Sequence, residues 1–204
     1  MISSFLNLLS RVRQSVDRKL VQRRWENLRS RGMHIGKDVW LPASTVIDVE
    51  HCFLISIGDH CGFGGQCLIL AHDAQMDEFL DAGRAGRVII HESCHIGSRS
   101  IILPGVEIGP RTIVGAGSIV SRSLPPDSVC VGSPAKVVGT LSEYLDRHRA
   151  KLRAAAKFDY LEYIMNTTPE KANELRTAVK SQDAYIVGGR TAELNGTGGT
   201  LRTG

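Results

Sequence analysis

The 204-residue sequence has no uninterrupted apolar run approaching the ~18 residues that a membrane-spanning helix requires. Its N-terminus, MISSFLNLLSRVRQSVDRK, places charge after the apolar part, the reverse of a secretory signal, and a cytoplasmic protein is expected. The five cysteines (Cys52, Cys61, Cys67, Cys94, Cys130) form no CxxC pair and are odd in number. This argues against a zinc ribbon or a disulfide framework and in favour of small, buried, reduced thiols. No GxSxG elbow and no Cys-His nucleophile setting is evident, so an acyl-enzyme is not expected. The net charge of +4 is not extreme and no nucleic-acid partner is expected. The basic excess is local, with eight Lys/Arg against two acids in residues 1–31.

What the sequence does contain is a beat of six. Ile35, Leu41 and Ile47 are spaced by six, as are Ile57, Phe63 and Ile69 after a slip of register, and then Ile90, Ile96, Ile102, Ile108, Val114 and Val120. Neither a helix nor a flat strand repeats at six. Gly follows the aliphatic or aromatic residue at Ile35, Ile57, Phe63, Ile96, Ile108 and Val114. The fourth residue after it is small or branched at Thr45, Cys61, Cys67, Cys94, Ser100, Val106, Thr112 and Ser118. One short strand plus a turn per unit, with three units closing a triangular coil of about 18 residues, satisfies the pattern. Ile90 then stacks under Ile108, Ile96 under Val114 and Ile102 under Val120. On this reading glycine makes the tight corner, and the small residue fills the narrow angle of the triangle.

The beat is interrupted by HDAQMDEFLDAGRAGR (His72 to Arg87), whose part 73–87 is read as a loop thrown out from one corner. A C-terminal helical region spans 140–187. In it Thr140 and Glu143 form a capping box, Leu141, Leu145, His148, Leu152 and Ala155 share one face, and a shorter helix starts at Thr168-Pro169. Residues 188–204 are Gly/Thr-rich and expected to be disordered. Residues 1–31 read as a basic amphipathic helix with Phe5, Leu9, Val12, Val16, Leu20, Trp25 and Leu28 near helical spacing. Such a helix lies on an anionic membrane, or packs its stripe on the solenoid end or on a neighbouring subunit.

The run IGSRSIILPGVEIGPRTIVGAGSIVSRSLPPDSVCVGSPAKVV closely resembles the closing signature of the hexapeptide-repeat acyltransferases, in the branch with galactoside, maltose and xenobiotic O-acetyltransferases. The resemblance covers about residues 33–139. It implies a mainly β fold, a left-handed parallel β-helix over residues 32–139 with α-helices at both ends. It also implies a homotrimer with acetyl-CoA as co-substrate in the groove between subunits, and a sugar or glycan acceptor, without a required metal.

His72, in ILAHDA where the chain leaves the solenoid, matches the place of the family's catalytic histidine. An alcohol needs a base whose pKa lies near neutrality and which reaches its proton, and imidazole meets both demands. Asp73 is a candidate to hold the imidazole tautomer or bind the acceptor, as well as a turn residue. His95 stands where the sugar acetyltransferases usually carry an aromatic, which makes it a candidate acceptor contact. By the same resemblance Ser98 and Ala116 lie along the pantetheine arm, Ser121 and Arg122 near the adenine end, and Lys136 meets phosphate. An amino-sugar acceptor, a zinc hydratase using His72, His91 and His95, and a non-catalytic scaffold are the competing readings.

Overall fold

The computed structural model describes residues 20–189 and the backbone of 202–203. The chain divides into two compact units, one ending at Gly139 and one starting at Thr140. The first is built on three stacks of short parallel strands. Sheet A takes His34–Ile35, Ile55–Ile57, Val88–Ile90 and Glu107–Ile108. Sheet B takes Val39–Trp40, Gly62–Phe63, His95–Ile96, Ile113–Val114 and Ser128–Val131. Sheet C takes Val46–Ile47, Leu68–Ile69, Ile101–Ile102 and Ile119–Val120. The chain visits A, B and C in turn, so each circuit is one coil of a three-sided solenoid.

The register is the one the six-residue beat predicts. Ile90 pairs with Ile108, Ile96 with Val114 and Ile102 with Val120, while Ile35 lies opposite Ile57 and Ile47 opposite Ile69. All twelve beat residues are buried in one continuous core. The eight small or branched fourth-place residues are buried too, and several hold corner carbonyls. Ser100 Oγ donates to Gly97 and Gly115 carbonyls at 2.8 and 3.1 Å, Ser118 Oγ donates to Gly115 at 2.7 Å, and the Cys94 thiol points at Gly109 O at 3.1 Å. The five cysteines are all free and buried.

The reason for the recurring glycines differs from the expected one. Gly36, Gly58, Gly64, Gly97, Gly109 and Gly115 do not carry the positive φ of a tight corner; that conformation falls to other positions, among them His60, Ser93, Arg99 and Arg111. What the glycines permit is close approach of the next coil. A Cβ on Gly58 would lie 2.7 Å from the backbone nitrogen of Glu92, and one on Gly109 2.5 Å from that of Pro126. There is no room for a methyl group in the stack.

The helical segment 20–30 closes the first coil. Trp25 and Leu28 join the solenoid core, and the Arg24 guanidinium lies 4.8 Å from the Trp25 ring centroid and donates to the carbonyls of Ala43 and Thr45 at 2.7 Å each. Packing on the solenoid end therefore accounts for Trp25 and Leu28, while Leu20 of the expected stripe is exposed. Phe5, Leu9, Val12 and Val16 lie outside the described residues.

In the second unit Thr140 caps the helix Leu141–Ala154. Its side chain accepts from the Glu143 amide at 3.2 Å, while Glu143 returns a 2.9 Å bond to the Thr140 amide. Pro169–Ala178 follows Thr168 as its cap. The helical reading of 140–187 misses a parallel pair of strands, Lys157–Asp159 between the helices with Tyr185–Val187 after the second, which buries Phe158. A three-residue strand around a single inward aromatic leaves too short a period to read. Of the tail expected to be disordered, 190–201 and 204 lie outside the described residues.

Candidate functional site

The corner that leads from sheet C to sheet A is where the chain twice departs from the solenoid. The first departure follows Ile47. Asp48 donates its amide to Ile69 O at 3.0 Å, which keeps it in the ladder, and the chain then makes a short 3-10 turn at Cys52–Leu54 before re-entering at Ile55. Cys52 is buried at its base, with its thiol towards Leu28 O. The Asp48 carboxylate turns back onto this excursion. Its Oδ1 accepts from the His51 amide and lies 3.2 Å from His51 Nδ1, and its Oδ2 accepts from the Ala71 amide at 3.3 Å. A carboxylate only accepts, so in this bond the His51 proton sits on Nδ1.

The second departure is the expected loop, and it has internal structure. His72–Asp73 pairs antiparallel with Arg84–Ala85, and one helical turn, Asp77–Leu80, forms the tip. The base is fastened by Gly86 N donating to Ala71 O at 2.8 Å and Arg84 Nη2 donating to Pro104 O at 2.9 Å. His72 thus stands on a hairpin stem, half-buried, with its ring stacked on His51 at 4.3 Å between centroids and 17° between planes. Gly83 sits opposite, where a Cβ would come 3.2 Å from His72 Nε2.

Asp48, His51 and His72 are the one group among the described residues whose ligand atoms could hold a metal ion, all within 4.8 Å of one another. Nitrogen lone pairs lie in the ring plane, so two nearly parallel imidazoles aim alongside each other and do not converge on one ion. The stacked arrangement fits ring packing better than coordination. The trio His72, His91 and His95 is not gathered within one chain. His91 follows sheet A and pairs with Glu107, Nε2 to Oε1 at 2.7 Å, while His95 lies on the outer face of sheet B, over Gly62.

Four of the other sequence candidates divide between two edges of sheet C. Ser98 and Ala116 occupy the corner from B to C in successive coils and are exposed, with Gly117 N donating to Ser98 O at 2.8 Å. Ser121 and Arg122 lie on the corner from C to A, in the same column as His72 and two coils along; Lys136 begins the last strand beside sheet B, and all three are exposed. Asp73 is half-buried on the hairpin stem, paired in register with Arg84. Sequence reasoning missed Asp48 and His51. Their signal was the slip of register itself: ten residues separate Ile47 from Ile57 where six are due, and the surplus carries a histidine.

Residues 87–122 match the model of the bacterial transferase hexapeptide (six repeats). Over 115 residues the chain is 31% identical to a putative acetyltransferase, YvoF, of Bacillus subtilis, covering 56% of this chain and 64% of that protein. Over 75 residues it is 39% identical to a 2,3,4,5-tetrahydropyridine-2,6-dicarboxylate N-acetyltransferase of Staphylococcus aureus, covering 37% and 31%. The match thus spans less than two thirds of either relative. Among solved structures it is similar to a hexapeptide-repeat acetyltransferase of Vibrio cholerae in complex with acetyl coenzyme A, with 19% identity, a TM-score of 0.46 and coverage of 63% and 85%. The resemblance to hexapeptide-repeat acyltransferases read from the closing signature holds in the family model and in the two relatives.

Proposed function

We propose that this chain is an acetyl-CoA-dependent acetyltransferase, acting on a hydroxyl of a sugar or glycan, with His72 as general base. The observation that carries the reading is the place of His72: an imidazole fixed on a hairpin stem at a solenoid corner, half-exposed, with the glycine of Gly83 leaving space at Nε2. The hexapeptide match and the names of the two relatives support the transferase class.

In this mechanism His72 takes the hydroxyl proton as the acceptor oxygen attacks the thioester carbonyl. The new C–O bond forms, the C–S bond breaks, and the proton passes from the imidazolium to the departing thiolate. A backbone N–H facing the developing oxyanion lowers the barrier. Ser98 and Ala116 offer backbone groups along a corner edge for the amides of the pantetheine arm, Ser121 lies at the adenine end, and Arg122 and Lys136 offer cations for phosphate. Asp73 and His95 border the acceptor.

His72 and the Ser98–Ala116 edge lie on opposite margins of sheet C, and the outward residues of that sheet, Val46, Leu68, Ile101 and Ile119, are aliphatic. A homotrimer of left-handed solenoids joins the His72 corner of one copy to the cofactor edge of the next, burying part of that aliphatic face. A peripheral membrane contact falls to residues 1–19, because Trp25 and Leu28 belong to the core. Vesicle flotation of the full chain that persists after deletion of 1–19 removes that element.

The test is thiol release from acetyl-CoA across a panel of sugars and amino sugars, comparing the intact protein with His72→Ala. Loss of the base costs on the order of a hundredfold or more, and residual activity within a few-fold of the intact protein overturns the role of His72. An amine acceptor is the second reading, favoured by the name of the S. aureus relative, and turnover confined to the amino sugars selects it. A scaffold releases no thiol with any acceptor.

A further inference from the structure

We infer that Asp48 and His51 are positioning residues that fix the ring of His72; this rests on the reading of His72 as the base. A histidine on a loop stem has two free torsions, and a base works only when its nitrogen lies within hydrogen-bond reach of the proton it takes. The repeat itself supplies nothing to hold such a ring. The excursion after Ile47 does: the His51 ring lies under His72 at 4.3 Å with 17° between the planes, so one face of His72 is covered.

His51 is in turn held from three sides. Its amide and its Nδ1 both meet Asp48 Oδ1 at 3.2 Å, Phe53 lies against it at 6.2 Å between centroids, and Cys52 anchors the turn in the core. Asp48 acts on His72 by a second route as well. Its Oδ2 accepts from the amide of Ala71, the residue from which the His72 backbone springs. One carboxylate therefore fixes both the backbone under His72 and the ring beside it. Asp48 itself stands where six of the solenoid units carry the stacking glycine, and here a side chain takes that place.

The closing experiment uses the full chain with His51→Ala, His51→Phe and Asp48→Asn, and reads two quantities. The first is the proton chemical shift of the His72 Cε1–H, assigned by its disappearance in His72→Ala. A stacked ring moves it upfield; the expected result is loss of that displacement in H51A and its retention in H51F, which keeps a ring in place. The second is turnover of acetyl-CoA, where H51A and D48N lose about tenfold or more in kcat with little change in KM for acetyl-CoA, and H51F recovers most of it. A shift unchanged in H51A overturns the inference whether or not the protein turns over. A shift lost in H51A with kcat unaltered overturns the positioning role. If H51A does not fold, H51F and D48N decide: D48N with both the wild-type shift and the wild-type kcat overturns it. Absence of thiol release in every protein, including the intact one, overturns the transferase reading, and the shift alone then tests the pairing of the rings.

Discussion

The corners after sheets A and B and the corner after sheet C are built from the same six-residue unit, yet they differ in the residue that follows the inward aliphatic. After A and B that residue is Gly36, Gly58, Gly64, Gly97, Gly109 or Gly115, with Pro42 and His91 as exceptions; after C it is Asp48, Leu70, Leu103 or Ser121, never glycine. At five of these glycine corners successive coils press backbone on backbone, and at Gly115 the space is taken by the Val131 side chain. At the C corner they meet through side chains, as Asp48 meets Ala71. Both excursions from the solenoid, and with them His51 and His72, leave at this corner. The candidate site sits where the glycine rule of the repeat is suspended, while the other two corners hold the coils in register.

The sharpest way to break this comparison is to place a methyl group at a glycine corner. In Gly109→Ala the new Cβ meets the backbone of Pro125 and Pro126, which cannot rotate away. The expected loss is about 3 kcal/mol of unfolding free energy, at the upper end of overpacking costs, measured by denaturant titration. Gly117 is the control. It has a positive φ of 69° and nothing within 4 Å of an added Cβ, so Gly117→Ala should cost only about 1 kcal/mol, the penalty of a left-handed alanine. Gly117→Asn should recover part of that loss, because Asn tolerates the left-handed region, whereas no side chain rescues Gly109. Equal costs at the two positions would mean that glycine serves the turn after all.

The solenoid was legible because its information is periodic: three columns of aliphatics fix three strand registers, and one wrong register would expose a whole face. The structural reason for its glycines, close approach of the next coil, was not legible, since spacing cannot separate a need for φ from a need for space. His72 stands in a motif that the resemblance reads; Asp48 and His51 do not, because Asp48 keeps an ordinary place in the repeat and His51 belongs to an insertion of four residues that the beat registers only as a slip. The strand pair around Phe158 escaped for the opposite reason, being too short to have a period. Short local signals fared better, and the Thr140–Glu143 capping box was readable from two residues.

That cap supplies the smallest effect and the counterpart to the glycine test, a substitution whose consequence stays local because no neighbouring coil depends on it. Thr140→Ala removes the acceptor for the Glu143 amide and should cost about 1 kcal/mol, seen as reduced helical circular dichroism with the solenoid transition unmoved. The partner contributes a pH dependence. Bonds from the Thr140 amide and side chain hold the Glu143 carboxyl below its usual range. A depressed carboxylate stabilises the folded helix fully above its unfolded pKa, and that contribution disappears as pH falls through the lowered folded value. Glu143→Gln keeps the reciprocal bond without a titrating proton. Its helical signal should therefore be flatter through the acid range than that of the unaltered chain, and parallel curves for the two would show that the carboxylate adds nothing to the cap.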